Sequence, residues 1–595
     1  MCYNLAMNKQ RLRALSAALC VLLAMFSFAN VSFHLDISVF ALPISLILTA
    51  CLFYLLQMRL FSKNDCKVLP ASRVLLQYTP YLLLFIFVIR RAGETGTAYI
   101  VDCAAVFLWV VSSLLVLTIL FFFNPKRAAK IDPGWQRVFE RKSSSRKTIK
   151  HAFLEVISWV DAFFQAVCMV LLLNIFIVQL YEIPSESMVP EFLIKDRVVV
   201  FKTPSGPRFP LSDIALPYFK RYKRGDIVVF RNPHYSDDRQ SEVRTFVSQI
   251  VYMLSLTSVN LNVDERGNPK ADPLVKRVTG VAGEQLMMQD GVLYSRTENN
   301  LEWQAVKEDA SWAAWNLNAV RRNLKEGIRD FVVSNDDYET MLECERQRNA
   351  LEIDGAKTEC LRLSAEFKRI YQAVFADEKS LQEARRTAFD FDAKTLFEYS
   401  LFSRNESLTK SLISASNGDE EFSAFMTDWI SHIPEGFSGD LYSEANYKLN
   451  LMIKMCAGAL VVRNAELLSS GIPQSQWQAD ELNTSLIKQA EMLNAYIFLL
   501  DRRNMPIFPP NASDGSALFI PDDCYFMMGD NRFNSLDMRH SYEERITSLT
   551  AHDAYSVTYY TNLEPQYVNK SRILGTTAWR FWPWSRRGIP GHSGM

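Results

Sequence analysis

The chain has 595 residues, 49% of them hydrophobic, and its 65 basic and 65 acidic residues give a formal net charge of zero. This balance argues against nucleic acid as a partner, and the hydrophobic content excludes a disordered chain. The charges are unevenly distributed: residues 1–180 hold 18 Lys and Arg against 8 Asp and Glu, whereas the remainder holds 47 against 57. The two parts of the chain therefore belong to different environments.

Residues 1–180 are predicted to form a transmembrane anchor. A spanning helix needs ~20 mostly apolar residues. Five apolar runs approach or exceed that length, at about 14–34, 37–57, 70–89, 98–123 and 161–180. Cleavage of run one as a signal peptide is the alternative, which the closely following second run disfavours.

Basic residues around these runs predict the orientation of the anchor. Sixteen Lys and Arg lie before run one, between runs two and three, or between runs four and five, against only Arg90 and Arg91 on the other side. The positive-inside rule therefore predicts a cytoplasmic N-terminus and places residues 181–595 outside the cytoplasm. Asp102 and Asp161 fit interfacial positions better than an ion relay, since charge within the spans is scarce.

The remaining sequence predicts a β-domain interrupted by helices. Residues 181–302 and 506–595 are rich in short β-branched runs beside turn residues. Residues 303–505 form a predicted helical insertion, which lacks proline as far as residue 432. Its helical periodicity is clearest in one set of apolar residues at i, i+3, i+4 and i+7: Phe367, Ile370, Tyr371 and Val374.

Cysteine and histidine patterns give no metal or redox motif. The chain has no CxxC and no HExxH, which disfavours thiol redox chemistry, a zinc ribbon and a metal hydrolase. His540 is interpreted as a structural or surface residue. The four cysteines of the outer part are compatible with disulfides or with free buried thiols: Cys344, Cys360, Cys456 and Cys524.

Four short segments carry the candidate chemistry. Residues 183–190 read IPSESMVP directly after the last span, where two prolines fix an extended or turning backbone around two serines. Residues 224–230 read RGDIVVF, a turn and then a buried strand. Residues 274–280 read LVKRVTG and place Lys276 in an apolar strand beside a second cation, which favours a neutral amine able to activate a serine. Residues 527–539 read MMGDNRFNSLDMR, a charged loop able to form ion pairs.

Together these segments resemble bacterial type I signal peptidase, the Ser–Lys leader peptidase family. The resemblance covers about 155–300 and 515–588, and residues 529–539 are its most specific part. It implies a mostly β catalytic domain at the bilayer surface that needs no metal or organic cofactor. The implied activity is a serine endopeptidase that removes signal peptides from exported preproteins after small residues at −1 and −3. The implied location is the bacterial inner membrane, with the catalytic domain on the periplasmic side and the secretion translocon as a further partner.

The resemblance also implies roles for individual residues. Ser187 matches the nucleophile and Lys276 the general base. Ser185 matches a hydroxyl that joins the backbone N–H of Ser187 in the oxyanion hole, and Ser535 matches the serine that orients the lysine. The structural motif comprises Asp530, Asn531, Arg532, Asp537 and Arg539.

The five predicted spans exceed the one or two that are common in bacterial members of the family, and the sequence departs from the family in three further places. Glu186 stands between the two serines where glycine is frequent, Glu191-Phe192 follow Pro190, and the helical segment of about 200 residues is unusually large. The alternative hypothesis is therefore a non-catalytic envelope scaffold built on a signal-peptidase fold, with the helical insertion as its working part. Retention of Ser187 and Lys276 favours the enzyme, because a scaffold has no need of the dyad.

Overall fold

A computed structural model describes residues 2–93, 98–132, 134–135, 138, 149–235, 238–255, 259, 261–263, 267, 270–316, 320–329, 333–385, 401–437 and 439–591. The chain divides into two compact units. The first comprises 1–180, 200–220 and 235–272, and the second comprises 181–199, 221–234 and 273–595.

The first unit is built from apolar helices. Among its described residues, five segments are long and apolar enough to cross a membrane: Lys9–Ala29, Ile37–Ser62, Cys66–Ala92, Tyr99–Phe122 and Glu155–Phe176. The prediction of five apolar N-terminal helices is confirmed. The labelled helices of this unit are α1 Cys2–Ala29, α2 Ala41–Phe53, α3 Leu69–Ala92, α4 Tyr99–Phe122, α5 Pro125–Ile131, α6 Ile149–Phe176 and α7 Arg239–Leu254.

Two helices of the anchor end before the apolar runs that predict them. Run one was expected to reach residue 34, but α1 ends at Ala29, and the next side chain, that of Asn30, donates 2.8 Å to the carbonyl oxygen of Phe26. Run five was expected to reach residue 180, but α6 ends at Phe176. Residues 178–182 form a strand instead, which suits β-branched Val178.

The carbonyl groups that end α6 have side-chain donors. Lys202 Nζ donates 2.8 Å to the carbonyl oxygen of Asn174, and Thr203 Oγ1 donates 2.8 Å to that of Phe176. These bonds satisfy acceptors that a helix end leaves without intrahelical partners.

Five of the basic residues used to predict the orientation of the anchor lie outside the described residues: Arg137, Arg141, Lys142, Arg146 and Lys147.

The β-structure forms three sheets. The largest has the order β1-β2-β13-β3-β4-β9-β12, β10 pairs with β11, and a third sheet has the order β7-β6-β5-β8. The strands are β1 Val178–Glu182, β2 Arg197–Phe201, β3 Ile227–Phe230, β4 Leu274–Gly280, β5 Glu284–Gln289, β6 Val292–Thr297, β7 Asn300–Ala305, β8 Met505–Phe508, β9 Cys524–Met528, β10 His540–Ser548, β11 Thr558–Leu563, β12 Val568–Asn569 and β13 Ile573–Trp582. The prediction of a sheet-rich domain after the anchor is confirmed.

Helices occupy most of the chain between β7 and β8, a stretch called here the helical segment (residues 307–503). They are α8 Lys307–Ala310, α9 Arg322–Lys325, α10 Asn335–Asn349, α11 Ile353–Ala376, α12 Glu378–Arg385, α13 Asn405–Ser414, α14 Gly418–Thr427, α15 Leu441–Ser469 and α16 Glu481–Arg503. The predicted boundary at residue 303 falls inside β7, which continues to Ala305.

The core of the second unit joins this segment to the β-structure. The four apolar residues predicted from periodicity in α11 are all buried in this core, which also includes Phe533, Leu549, Val557 and Tyr559. The four cysteines of the second unit are buried free thiols: Cys344, Cys360, Cys456 and Cys524.

Strand register brings the candidate segments together. In the antiparallel pair of β3 and β4, Val228 lies opposite Lys276. In the pair of β4 and β9, Arg277 lies opposite Met528, so the loop that begins at Gly529 leaves the sheet beside Lys276. Successive residues of a strand point to opposite faces, and Lys276 and Arg277 are therefore directed to different partners.

Candidate active site

The nucleophile and the base proposed from the sequence are in direct contact. Lys276 Nζ lies 2.7 Å from Ser187 Oγ, a hydrogen bond between residues 89 positions apart in the chain. Lys276 is supplied by β4, and Ser187 by the turn that follows β1. A serine hydroxyl within hydrogen-bond reach of a lysine amine has the geometry required for nucleophile activation.

Burial of Lys276 favours the neutral form of its amine, which is the form that can accept a proton. Lys276 is only 3% exposed, and desolvation lowers its pKa to about 8, against the opposing charges of Asp537 and Asp530. The positive charge of Arg539 adds to the lowering of this pKa. A substantial neutral fraction is therefore present near neutral pH, and a neutral amine is required to accept a proton.

Ser185 lies on the same turn as the nucleophile. Its Oγ is 3.4 Å from Ser187 Oγ, a long contact between two hydroxyl groups. The backbone N–H of Ser187 donates to no acceptor among the residues that the structure describes. This N–H and the Ser185 hydroxyl, which donates its long hydrogen bond to Ser187 Oγ, are the two donors beside Ser187.

The loop after β9 packs directly against the nucleophile. Asn531 N donates 3.1 Å to the carbonyl oxygen of Ser187, and Asn531 Nδ2 donates 3.2 Å to that of Glu186. A Cβ atom on Gly529 would lie 2.5 Å from the Ser187 carbonyl oxygen and 2.1 Å from Ser535 Oγ. Only glycine fits at position 529, because backbone and side chain approach its Cα from both sides.

Ser535 lies beside this loop without a hydrogen bond to the lysine. Its side chain is buried, and its Oγ has no hydrogen-bond partner among the described residues. The sequence-based role, orientation of the Lys276 amine, therefore stays a prediction.

The charged residues of the motif form three buried ion pairs, two of which leave the motif. Asp537 pairs with Arg539 at 2.8 Å, inside the loop. Asp530 receives two hydrogen bonds from Arg277, at 2.8 and 2.6 Å. Arg532 makes two to Asp309, at 2.9 and 2.5 Å.

These pairs hold the loop against the sheet and the helical segment. Asp537 Oδ2 also accepts 2.9 Å from Gly529 N, which fixes the residue that faces Ser187. Burial alone would raise the pKa of Asp537, but the charge and hydrogen bonds of Arg539 outweigh burial and hold this pKa well below its usual value. Asp537 is therefore ionised at any pH at which Lys276 is neutral.

The side chain of Glu186, the residue that departs from the family pattern, is neither exposed to solvent nor paired with Lys276. It is 4% exposed, and its Oε1 accepts 2.6 Å from the backbone N–H of Arg329. The carboxylate is used to attach the turn of the nucleophile to residues 320–329. The neighbouring departure, Glu191, is also buried and lies 3.6 Å from Arg277.

Sequence reasoning missed Asp309 and the role of Arg277. Asp309 lies in α8, in a stretch that was predicted as part of a helical insertion without any motif, and only its contact with Arg532 distinguishes it. His540 is fully buried with Nδ1 3.1 Å from Asn562 Oδ1, which supports its interpretation as a structural residue. Within the described residues, no group of three His, Cys, Asp or Glu side chains is arranged to hold a metal ion.

Comparison with known proteins gives a consistent family. Residues 156–339 match the model of the family described as "Signal peptidase, peptidase S26". The matched stretch, less than a third of the chain, is therefore similar to the signal peptidase domain of that family. The matched residues include both Ser187 and Lys276.

Several curated relatives bear the name signal peptidase I. The protein of Haemophilus influenzae is 25% identical over 183 residues, 29% of this chain and 50% of the relative. That of Pseudomonas aeruginosa is 32% identical over 123 residues, 21% of this chain and 43% of the relative. That of Buchnera aphidicola subsp. Baizongia pistaciae is 36% identical over 80 residues, 13% and 26% of the two chains.

The chain spans half or less of the length of these relatives. No solved structure matches it. The family match ends at residue 339 and therefore excludes residues 529–539, yet this loop contacts Ser187 in the fold. The match also continues beyond residue 303 and includes Asp309 of the helical segment.

Proposed function

We propose that this protein is a membrane-bound serine endopeptidase that removes signal peptides from exported preproteins, cutting after small residues at −1 and −3. The single observation that carries the proposal is the 2.7 Å contact of the buried Lys276 amine with the Ser187 hydroxyl. The similarity to signal peptidase I proteins supplies the substrate class, because the same two residues lie within the matched region.

The chemistry follows from the dyad. The neutral amine of Lys276 accepts the proton of Ser187 Oγ as the oxygen attacks the scissile carbonyl carbon. The resulting ammonium group then gives its proton to the leaving amine, and an acyl-enzyme remains on Ser187. Water, activated by the same amine, hydrolyses this ester and returns the serine hydroxyl. A general base of this kind contributes ~10²–10⁴-fold to the rate.

The oxyanion is assigned to donors on the turn of the nucleophile. The backbone N–H of Ser187 is uncommitted among the described residues, and the Ser185 hydroxyl is within 3.4 Å of Ser187 Oγ. Removal of one such donor reduces kcat by ~10²–10³-fold in other serine peptidases. The turn therefore carries both the nucleophile and the groups that stabilise the tetrahedral intermediate.

The anchor brings the enzyme to its substrate. The apolar part of a signal peptide lies in the bilayer, so its cleavage site emerges at the surface where residues 181–595 begin. We assign the N-terminus to the cytoplasm and the catalytic residues to the periplasmic side of the bacterial inner membrane, from the distribution of basic residues. Trp579, Trp582 and Trp584 are exposed, and an interfacial position at headgroup level accounts for three solvent-facing indoles better than a packed core does. The secretion translocon is the expected source of the substrate.

The test uses the full chain in membranes with a preprotein that carries an Ala-x-Ala site. Wild type is expected to yield one product of the predicted mass. Ser187→Ala and Lys276→Ala are expected to reduce cleavage by at least ~100-fold, since each removes one half of the dyad. Ser571→Ala and Lys570→Ala are matched controls expected to cleave as wild type does: Ser571 is exposed, and Lys570 is partly exposed and pairs with Asp523.

Two outcomes would contradict the proposal. Unimpaired cleavage by Ser187→Ala would remove the nucleophile from the mechanism. Failure of correctly inserted wild type to cleave the preprotein, under conditions in which a known signal peptidase cleaves it, would refute the proposed activity.

A further inference from the structure

Both ends of the helical segment contact the loop that supports the dyad. At its beginning, Asp309 of α8 receives two hydrogen bonds from Arg532, and neither side chain is more than 2% exposed. At its end, the carbonyl oxygen of Arg502 accepts 2.7 Å from Arg539 Nη1. Residues 193 positions apart in the helical segment therefore contact the same eleven-residue loop.

An indole ring connects the two contacts. The ring centroid of Trp315 lies 5.9 Å from the guanidinium carbon of Arg532 and 4.8 Å from that of Arg503, the last residue of α16. Its edge also packs on Phe533, with 5.3 Å between the ring centroids. Arg503 is held in turn by Glu345 of α10 at 2.7 Å. Stacking of this kind fixes the planes of the guanidinium groups as well as their positions.

Backbone hydrogen bonds make the attachment rigid. Ala314 N donates 2.7 Å to the carbonyl oxygen of Asp530, and Arg532 N donates 3.3 Å to that of Ala314. Residues 313–315 thus form a short parallel bridge with the loop. Side chains and main chain of the helical segment together define where residues 530–532 lie.

The path from Asp309 to the nucleophile is short. Arg532 Nε donates 3.0 Å to the carbonyl oxygen of Gly529. Gly529 is the residue whose Cα faces both Ser535 and the carbonyl oxygen of Ser187. The side chain that Asp309 orients therefore orients the peptide that contacts the nucleophile.

We propose that Asp309 is a positioning residue for the Ser187–Lys276 dyad, acting through Arg532 and the Gly529 peptide. The helical segment is accordingly a support for the catalytic loop and not a separable binding module. The inference rests on the proposed peptidase function and adds a residue to it that lies outside the four motif segments of the sequence.

The physical argument concerns an unpaired buried charge. Without the carboxylate, the Arg532 guanidinium is left buried next to an indole and must find another acceptor or draw in water. Either response moves the Gly529 peptide and with it the turn of Ser187. A displacement of ~1 Å at a reacting group lowers the rate by ~10²-fold. Substrate binding relies on other surfaces, so KM is expected to change little.

The experiment compares kcat and KM of full-length Asp309→Asn with those of wild type, in membranes and on the Ala-x-Ala preprotein. The expected result is a fall of ~100-fold in kcat with KM within about twofold. Asp309→Glu keeps the charge but lengthens the side chain by one methylene, and its kcat is expected to lie between those of wild type and Asp309→Asn.

Asp553→Asn is the matched control. Asp553 pairs with Lys454 at 2.6 Å with both side chains fully buried, so this variant also breaks a buried ion pair within the second unit. It is expected to lower the thermal stability and to retain wild-type kcat. A fall of kcat in Asp553→Asn as large as that in Asp309→Asn would show a general effect of lost stability and overturn the inference.

The remaining outcomes are also decisive. Wild-type kcat in folded Asp309→Asn overturns the positioning role while the peptidase function stands. If Asp309→Asn does not accumulate in membranes, Asp309→Glu decides: a reduced kcat supports the inference, and wild-type kcat overturns it. Loss of cleavage by wild type itself would refute the function and not the inference alone.

Discussion

At the scale of single residues, the site depends on an amine that the fold keeps out of water. Desolvation lowers the pKa of Lys276 to about 8, and the carboxylates of Asp537 and Asp530 prevent a larger decrease. The buried amine is also hydrogen-bonded to the Ser187 hydroxyl, so it is both reactive and oriented towards that hydroxyl. A lysine in solvent would remain charged and would not accept a proton at neutral pH.

This pKa predicts how activity depends on pH. The amine must be neutral to act as a base, so kcat/KM is expected to rise as pH increases through about 8 and to level off above it. Below that pH it should fall about tenfold for each unit, because one proton blocks the base. The measurement is kcat/KM between pH 6 and 10 for a preprotein without ionisable residues from −3 to +1.

A constant kcat/KM across this range would contradict the assignment of Lys276 as the base. The control is the thermal stability of the enzyme over the same range of pH, which separates titration of the base from unfolding. Asp537 does not contribute to this profile, since its pKa is held well below its usual value by Arg539.

At the scale of elements, the last strand holds the chain that follows the nucleophile. Arg580 of β13 donates 2.5 Å to the carbonyl oxygen of Glu191 and lies 3.7 Å from its carboxylate. Arg586, just after β13, pairs with Asp196 at 3.0 Å. Asp196 in turn accepts 2.9 Å from Leu193 N, so residues 190–196 are fixed from the C-terminal end of the chain.

Removal of one of these guanidinium groups is expected to destabilise the second unit. Arg580→Met leaves the Glu191 carboxylate and carbonyl without this donor in a buried region, and breaking a buried pair in this way typically lowers the free energy of unfolding by ~3–5 kcal/mol. The measurement is the thermal unfolding of the full chain in detergent.

Arg587→Met is the matched control for this substitution. Arg587 is exposed and stacks on Trp584, and an exposed substitution is expected to change stability by less than ~0.5 kcal/mol. Equal unfolding temperatures for Arg580→Met and Arg587→Met would show that β13 does not stabilise residues 190–196.

At the scale of the whole molecule, the anchor carries its own buried charge. Arg90, in the last turn of α3, is ion-paired with Asp102, in the first turn of α4, and Arg91 lies 3.4 Å from the same carboxylate. Asp102 is therefore buried in an ion pair. Arg90 and Arg91 are the two basic residues that count against the predicted orientation, and they belong to this buried group and not to a solvent-exposed loop.

The orientation can be tested by fusion of a reporter that is active on one side of the membrane only. Fusions after Lys63 and after Lys130 are expected to report the cytoplasm, and a fusion after Ser32 is expected to report the opposite side. The reverse pattern would invert the anchor and place Ser187 in the cytoplasm, which would refute the proposed site of cleavage. Fusions in chains with Arg90→Met control for the buried pair.

The sequence by itself determined the features that depend on local pattern. Apolar runs of sufficient length indicated the five helices, since a membrane span is a continuous stretch of chain. Periodicity indicated α11, because its buried residues recur at i, i+3, i+4 and i+7. Ser187 and Lys276 were chosen from motifs alone, and the structure brings these two side chains into contact.

Only the tertiary structure decided the partners of the charged loop. Arg532 pairs with a residue 223 positions away and Asp530 with one 253 positions away, and no local periodicity encodes such distances. The helices α1 and α6 end before their apolar runs for a related reason. Hydropathy measures only apolar character, whereas hydrogen bonds from the side chains of Asn30, Lys202 and Thr203 to helix carbonyl groups decide where the helix ends. The position of Asp309 against the catalytic loop follows from packing of the helical segment on the sheet, which becomes defined only when both are folded.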